Sequence, residues 1–195
     1  MAMPSVEAAP LLLRCAAMAV IALFLVFQIA AFFTGAAYLP SEPSYVNGMM
    51  RLSLPAKGKV LVDLGSGDGV LLAAAARAGA TAIGYEINPV LVALCRLRIM
   101  LQGLEGRVSV RMSSYWGADL SEADIITVYG MPHMMGRLEK KLSTGLKPGC
   151  VVVAVGCEFP TWPPVRTLGL AFLYLPGLPP GRAASAARPE PGRHV

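Results

Sequence analysis

The sequence has little charge and few residues of the kinds that bind metals or cross-link small domains. Only 15% of its 195 residues are charged, whereas a typical soluble domain carries about 25%. With 55% hydrophobic residues, the composition excludes an intrinsically disordered chain. There are only two histidines, and no two of the four cysteines form a CxxC pair. The sequence therefore predicts neither a metal site nor a disulfide framework. Free thiols of this kind are typical of a reducing compartment.

A dense basic surface is also missing, although the net charge is +5. Residues 38–159 contain 12 basic and 10 acidic side chains, while residues 160–195 contain four arginines and one glutamate. Most of the excess positive charge therefore lies in the last part of the chain. The central part lacks the cluster of Lys and Arg that a nucleic-acid backbone requires, and we expect no nucleic-acid partner.

One long stretch, from Cys15 to Ala37, contains no charged residue. As a helix it would extend about 34 Å, enough to cross a hydrocarbon core of about 30 Å. A buried core helix or a cleaved signal peptide would give a related pattern, but the run is long for either, and only Arg14 precedes it as a base. We therefore predict an N-terminal segment at 1–14 and a retained transmembrane helix at 15–37.

Residues 38–175 show the alternation of strands and helices that is typical of a parallel sheet. Strands are predicted at 60–64, 81–86, 108–112, 125–129 and 151–155, and one more within 165–175. Helices are predicted at 71–78, 89–102 and 134–142. We expect an α/β domain with helices on both faces of a mostly parallel sheet, followed by a disordered tail rich in Pro and Arg at 176–195.

A glycine-rich turn follows the first strand, in the run Asp63-Leu64-Gly65-Ser66-Gly67-Asp68-Gly69. Its position between a strand and a helix lets a ligand approach backbone amides closely. Glu86, at the end of the next strand, is suited to accept the hydroxyl protons of a ribose. A dinucleotide site would have a third glycine where Val70 stands, and Asp63 and Asp68 would repel a diphosphate. The two carboxylates favour S-adenosylmethionine, which carries an ammonium group and a sulfonium.

The glycine-rich run and the segment Gly84-Tyr85-Glu86-Ile87-Asn88-Pro89 together resemble the class I methyltransferases. Four further segments resemble, more narrowly, the small membrane-anchored mitochondrial lysine methyltransferases that modify adenine nucleotide translocase or the ATP synthase c-subunit. They are Tyr38-Leu39-Pro40-Ser41, Gly130-Met131-Pro132-His133-Met134-Met135, Leu138-Glu139-Lys140-Lys141-Leu142 and Pro160-Thr161-Trp162. This resemblance runs from about Tyr38 to Val165. It implies a Rossmann-like methyltransferase sheet, S-adenosylmethionine as cofactor and a lysine of a membrane protein as acceptor.

The resemblance and the chemistry together suggest the site residues. The candidates for cofactor binding are Asp63, Gly65, Ser66, Gly67, Asp68, Gly69, Glu86, Asn88, Ser114 and Tyr115. Ser114 stands where the family has an acidic residue after the third strand. Asn88 is either a helix cap or a ligand contact, and Tyr115 either covers the adenine or packs in the core.

The sequence gives fewer signals for the residues that line the pocket of the methyl acceptor. The candidates for lining it are Tyr38, Pro40, Tyr129, Gly130, Pro132 and Trp162. No residue stands out as a catalytic base, because His133, beside two methionines, fits a packing or surface role better. An apolar pocket would itself favour the neutral amine that attacks the methyl group.

Two other functions remain compatible with these residues: a methyltransferase for a lipid or quinone, and an inactive cofactor-binding membrane scaffold. Basic residues at 51, 57 and 59 place the larger part of the chain on the cytoplasmic or matrix side of a membrane. The resemblance implies the mitochondrial inner membrane, and a bacterial inner membrane fits the residues equally well.

Overall fold

A computed structural model describes residues 8–34, 43–53 and 55–177. Its helices are α1 (Ala8–Thr34), α2 (Pro43–Ser53), α3 (Val70–Arg77), α4 (Pro89–Leu101) and α5 (Pro132–Leu142). Its strands are β1 (Val60–Leu64), β2 (Thr81–Glu86), β3 (Val108–Met112), β4 (Ile125–Tyr129), β5 (Val151–Val155), β6 (Arg166–Leu168) and β7 (Ala171–Tyr174). A short 3-10 turn covers Tyr115–Gly117 between β3 and β4.

The strands form one sheet in the order β3-β2-β1-β4-β5-β7-β6. The first five are parallel, whereas β7 runs antiparallel to both β5 and β6. The expected α/β architecture is thus confirmed, and the five parallel strands have the predicted bounds. The expectation of a single strand within 165–175 was wrong, because Gly169, at a φ of 60°, lies in a turn that separates β6 from β7.

The two faces of the sheet bury separate apolar layers, because alternate residues of a strand point to opposite sides. Val62 of β1 packs in the layer that contains Leu138 of α5. Its neighbour Leu61 packs on the opposite side with Leu72 of α3 and Cys95 of α4. Because β1, β2 and β4 are parallel, their carboxyl ends meet at one edge of the sheet, where ligands bind in folds of this type.

Helix α1 contains a stretch, Pro10–Ala30, that is long and apolar enough to cross a membrane. The helix begins at Ala8, upstream of the predicted start at Cys15, so Arg14 lies within it. Its described side chains are largely exposed, and the helix contacts α4. The predicted end of the span at 35–37, and residues 178–195 of the predicted tail, lie outside the described residues.

Candidate active site

The glycine-rich loop joins β1 to α3, and its three glycines have positive φ angles that other residues rarely adopt. At Gly65, with a φ of 93°, an added Cβ would meet nothing within 4 Å, so this part of the loop borders open space. At Gly69 an added Cβ would overlap the Cys95 Sγ atom of α4. Gly65 therefore leaves one side of the loop open, while Gly69 allows α3 and α4 to pack closely.

Ser66 is turned away from that open space. Its side chain is buried against β2, where a Cβ added to Gly84 would overlap the Ser66 hydroxyl. The hydroxyl has no hydrogen-bond partner among the described residues. The backbone amides of Gly65 and Ser66 each donate to the carbonyl of Tyr85 at 3.0 Å. Ser66 thus fastens the loop to β2 through its backbone.

Glu86, at the carboxyl end of β2, holds the loop from the other side. Its Oε2 accepts a hydrogen bond from the Gly67 amide at 3.0 Å. Its Oε1 accepts from the amides of Ile87 and Asn88, each at 2.8 Å. A carboxylate has about four acceptor positions, so these three bonds leave room for one more donor on Oε2. The residue is only 8% exposed, at the rim of the site.

Asp63 is the second carboxylate of the site and lies at the carboxyl end of β1. Its Oδ1 accepts a hydrogen bond of 2.8 Å from the hydroxyl of Thr127, which lies on the adjacent strand β4. Burial raises the pKa of Asp63 to about 7, the Thr127 hydrogen bond opposes that rise, and the charge of Glu86 adds to it. A positive charge beside Asp63 would lower this pKa, so the carboxyl group would then lose its proton near neutral pH.

Asp68 does not form part of this carboxylate pair. Its Oδ2 lies 2.6 Å from an Arg98 guanidinium nitrogen in a salt bridge, and the Nε of Arg98 donates to the Asp68 carbonyl at 2.9 Å. The charge of Asp68 is thus balanced from α4. The sequence suggested Asp63 and Asp68 as the acidic pair, whereas the charge that acts on Asp63 belongs to Glu86.

Asn88 connects the site to both α4 and α1. Its Oδ1 accepts from the Val90 amide at 3.0 Å, which is the N-cap bond expected for this residue type. Its Nδ2 donates to the carbonyl of Phe24 in α1 at 3.5 Å. Phe24, Phe27 and Gln28 are the half-buried part of an otherwise exposed stretch of α1. The apolar helix therefore meets the domain beside the cofactor loop.

The turn after β3 contains the remaining cofactor candidates. Ser114 is exposed and caps the short 3-10 turn, since its hydroxyl accepts from the Trp116 amide at 3.3 Å. Tyr115 is buried, with its hydroxyl 3.9 Å from the Met134 sulfur, and burial raises its pKa to about 12. Its ring therefore packs in the core. Trp116 is half-buried beneath the guanidinium of Arg137, which lies 4.0 Å from the ring centre.

The carboxyl end of β4 forms the other side of the site. Tyr129 lies there, with its ring centre 6.1 Å from that of Tyr45 in α2. Burial raises the pKa of Tyr129, and Tyr45 and Cys157 contribute to the rise. Sequence reasoning missed Tyr45, because nothing in the sequence indicates that α2 reaches this edge.

The other acceptor candidates are dispersed. Gly130 is buried where a Cβ would lie 2.5 Å from the Met135 sulfur, and Pro132 is exposed at the start of α5. The ring centre of Trp162 lies 5.0 Å from that of Phe159, in a different apolar cluster from the one that contains Tyr45 and Tyr129. Tyr38 and Pro40 lie outside the described residues. Within the described ranges, no three His, Cys, Asp or Glu side chains are grouped as metal ligands.

Comparison with known proteins shows related sequences over about two-thirds of the chain. The chain is 37% identical over 132 residues to the ATP synthase c-subunit lysine N-methyltransferase of Rattus norvegicus, covering 68% of this chain and 61% of that protein. It is 35% identical over 133 residues to the adenine nucleotide translocase lysine N-methyltransferase of Mus musculus, covering 68% and 58%. The chain thus spans about six-tenths of the length of these relatives. A protein-lysine N-methyltransferase of Saccharolobus islandicus is 30% identical and is covered over 83% of its length.

A solved structure and a family model agree with these relatives. The RNA methyltransferase of Salinibacter ruber, determined with S-adenosyl-L-homocysteine, is 34% identical with a TM-score of 0.68, covering 73% of this chain and 97% of that one. The model of the ANTKMT methyltransferase domain matches residues 63–166, which begin at Asp63 and extend into β6. The chain belongs to the ANTKMT methyltransferase domain family.

Proposed function

We propose that this protein is an S-adenosylmethionine-dependent methyltransferase that modifies the side-chain amine of a lysine in a membrane protein. The observation that carries the proposal is the pairing of an open glycine loop with Asp63 and Glu86 at one edge of a methyltransferase sheet. The relatives named as lysine N-methyltransferases support lysine as the acceptor.

The loop fits the cofactor in shape. The space beside Gly65 would be filled by the Cβ of any other residue, so backbone can approach a ligand closely there. Glu86 has one acceptor position left on Oε2 after its three amide bonds, which suits a ribose hydroxyl. The solved relative with S-adenosyl-L-homocysteine bound supports this ligand class. When bound, S-adenosylmethionine supplies a methyl group on a positively charged sulfur.

The loop also fits the cofactor in charge. Asp63 and Glu86 repel each other enough to contribute to the raised pKa of Asp63. A ligand with an ammonium group and a sulfonium relieves that repulsion, whereas a diphosphate would increase it. Asp68 does not add to the negative charge, because Arg98 balances it. The buried pair at the ends of β1 and β2 therefore favours a cationic ligand.

The acceptor amine is proposed to enter between Tyr45 and Tyr129. A lysine amine has a pKa of about 10.4 in water and must lose its proton before it attacks. A partly buried aromatic wall disfavours the charged form of the amine. The raised pKa of Tyr129 shows the same effect on a negative charge, because burial there disfavours the tyrosine anion. The chain then needs to align the amine with the methyl group and to exclude water, and no dedicated base is required.

The apolar stretch of α1 supports a membrane location. We propose that Pro10–Ala30 anchors the protein in a membrane, with the mitochondrial inner membrane favoured by the family resemblance and a bacterial inner membrane as the alternative. Asn88 contacts α1, so the anchor would lie beside the cofactor edge of the sheet. Such tethering raises the effective concentration of the enzyme near a membrane-protein substrate.

The proposal is tested by incubating the full-length protein with methyl-labelled S-adenosylmethionine and either mitochondrial inner-membrane or bacterial inner-membrane vesicles. Protein, lipid and RNA are then separated, and hydrolysed protein is searched for methyl-lysine. We expect the label in methyl-lysine. Label in the lipid or RNA fraction would instead assign a different acceptor.

Matched variants make the result specific. Glu86→Ala is expected to weaken cofactor affinity by roughly 1–3 kcal/mol, because a charged acceptor is lost. Glu105→Ala, at an exposed position after α4, is the control and should bind the cofactor normally. If calorimetry detects binding of S-adenosylmethionine to the unmodified protein but no fraction is labelled, the inactive cofactor-binding scaffold replaces the enzyme. Absence of binding rejects both.

A further inference from the structure

A cleft lies between α2 and β6, the last strand in the sheet order. It has a volume of about 440 Å³ and is lined by Arg51, Leu52, Arg166, Thr167 and Leu168. Leu52 is buried, whereas both arginines are exposed. Two of these five lining residues carry a positive charge and none carries a negative charge. We call this feature the arginine cleft.

The fold brings the two arginines to the same side of the sheet. Arg166 is directly opposite Leu173 of β7, which packs in the apolar layer that contains residues of α2. Directly opposite residues share one face of a sheet, so Arg166 also points to the α2 side. A Cβ added to Gly48 of α2 would lie 3.9 Å from the Leu168 carbonyl oxygen, and Arg51 follows Gly48 by about one helical turn. The two guanidinium groups therefore approach the cleft from its two walls.

The charges of these two arginines are not balanced within residues 8–34, 43–53 and 55–177. In those ranges neither guanidinium group forms a salt bridge or a hydrogen bond. Arg98, by contrast, is paired with Asp68. Two positive charges at one cleft repel each other, and an anion between them would remove the repulsion. The planar guanidinium group matches a carboxylate or a phosphate, so the cleft is suited to a ligand of that class.

Helix α2 connects the arginine cleft to the proposed acceptor pocket. Tyr45, near the start of α2, faces Tyr129, and Arg51 lies six residues later in the last turn, about 9 Å along the helix. The cofactor candidates, in contrast, lie on the loops after β1 and β2. The cleft is therefore a neighbour of the acceptor and not of the cofactor.

The size of a protein acceptor implies that it reaches the cleft. A stable protein interface covers about 800 Å² on each partner, which corresponds to a disc with a radius of about 16 Å. An acceptor whose lysine enters between Tyr45 and Tyr129 is thus large enough to cover Arg51 as well. Covering two arginines without a negative charge would oppose binding, because like or unbalanced charges at an interface are unfavourable.

We propose that the arginine cleft binds an acidic side chain of the acceptor protein and so selects lysines that have an aspartate or a glutamate nearby. This inference rests on the proposed function and deepens it, because it names a feature of the acceptor. A separation of about 9 Å corresponds to about three residues of an extended segment or about six of a helix. Arg51 and Arg166 are positioning residues, which act on where the acceptor lies and not on the methyl transfer.

The test measures the binding of fluorescent peptides to the full-length protein in a non-ionic detergent. Each peptide has one central lysine in a background of alanine, serine and glycine, with one aspartate placed about three to seven residues away on either side, the spacings that reach the cleft. A matched peptide has asparagine in place of the aspartate, and another has arginine. Fluorescence anisotropy gives the dissociation constant of each peptide.

We expect the unmodified protein to bind an aspartate peptide about fivefold more tightly than its asparagine partner at one or more spacings, as for a favourable exposed ion pair. The double variant Arg51→Gln, Arg166→Gln should bind the two equally. The reversed variant Arg51→Glu, Arg166→Glu should instead prefer the arginine peptide. Arg96→Gln, at an exposed position of α4, is the matched control and should keep the preference for aspartate. Melting temperatures verify that the variants fold.

Three results overturn the inference. The first is equal binding, or no binding, of the aspartate and asparagine peptides at every spacing. The second is a preference for aspartate that survives in the double glutamine variant. The third is binding of phosphatidylcholine vesicles with a minor share of phosphatidylglycerol that depends on Arg51 and Arg166, while the peptides show no preference. The cleft would then hold a lipid phosphate and not the acceptor.

Binding and methyl transfer separate this inference from the proposed function. Methyl-lysine formed from labelled S-adenosylmethionine, without any preference for aspartate in binding, rejects only the role of the arginine cleft. A preference for aspartate that depends on both arginines, without methyl transfer to any protein, rejects the proposed enzyme and retains the cleft as an acidic-peptide site.

Discussion

The buried carboxylate of Glu139 on α5 accepts hydrogen bonds from both the backbone amide and the hydroxyl of Thr161. The amide bond, to Oε2, measures 3.1 Å, and the hydroxyl bonds to Oε1. Thr161 lies in the connection between β5 and β6, so this contact fixes that connection to α5. The segments that contain these two residues were identified in the sequence as typical of the family, and the structure brings them together.

Replacing Glu139 with alanine is expected to destabilise the domain. The change leaves the Thr161 amide and hydroxyl without their carboxylate, and hydrogen bonds to charged groups contribute about 1.5–3 kcal/mol each. We expect the free energy of unfolding to fall by about 3 kcal/mol or more, measured by urea denaturation. Lys140→Ala, at the exposed neighbouring position, should change it by about 0.5 kcal/mol or less. Equal effects of the two changes would show that the contact does not contribute.

Cofactor affinity is expected to depend on pH through Asp63. Its pKa is raised to about 7, and only the carboxylate attracts a cationic ligand. Affinity should therefore rise with pH, by about tenfold between pH 6 and pH 8 for a single group of this pKa. Isothermal titration calorimetry across this range measures the effect. In the Asp63→Asn variant position 63 does not titrate, so any pH dependence of affinity that remains comes from the ligand's own amine.

The same raised pKa has an opposite effect on stability. The folded protein holds the Asp63 proton up to about pH 7, while the unfolded chain releases it near the ordinary value of 3.8. The contribution of Asp63 to the free energy of unfolding therefore falls as pH rises from about 4 to 7.

Thr127→Val removes the hydrogen bond that opposes the rise in the pKa of Asp63, so the midpoint of the pH dependence of cofactor affinity should move higher. A midpoint that stays in place would contradict this assignment.

The parallel part of the fold could be predicted because its signals are local. Each of the five parallel strands is a short apolar or alternating run, bounded by glycine, proline or polar residues, and the structure gives each the predicted bounds. The pair β6 and β7 was less predictable. Its turn at Gly169 lies inside an apolar run that also fits one longer strand, and only pairing with β5 distinguishes the two.

The sequence predicted the parts of the candidate site that belong to one local motif, but not the side chains that pair with them. The glycine loop and Glu86 follow from a motif, but the partners of the acidic residues come from distant elements. Arg98, which balances Asp68, is 30 residues away, and Thr127, which bonds Asp63, is 64 residues away. Tyr45 reaches the site from a helix that the sequence did not indicate. Such pairings depend on sheet order and helix packing, which one sequence does not specify.

Two glycine substitutions should separate loop geometry from helix packing. Both Gly65 and Gly69 have positive φ, which costs about 1–2 kcal/mol for another residue. Only Gly69→Ala adds a clash, with Cys95 of α4. We therefore expect Gly69→Ala to lower the melting temperature more than Gly65→Ala, and Gly65→Ala to have the larger effect on cofactor affinity relative to its effect on stability. Thermal denaturation and calorimetry on both variants check this ordering.

Tyr45 provides a test of the acceptor pocket that does not involve the cofactor. Its ring faces that of Tyr129 at 6.1 Å, while the cofactor candidates lie on the loops after β1 and β2. Tyr45→Ala should therefore leave the affinity for S-adenosylmethionine unchanged. It should lower kcat/KM for the lysine acceptor by about tenfold, since about 1–2 kcal/mol of aromatic contact is lost.

The conservative change Tyr45→Phe shows which property of the ring matters. Phenylalanine keeps the apolar wall that favours the neutral amine and removes only the hydroxyl, so it should restore most of the activity that alanine loses. The loss in Tyr45→Ala should also diminish at high pH, because an amine that is already neutral in water no longer depends on the wall for its deprotonation. A loss that is the same at every pH would mean that Tyr45 supports the fold of this edge and does not act on the protonation of the acceptor.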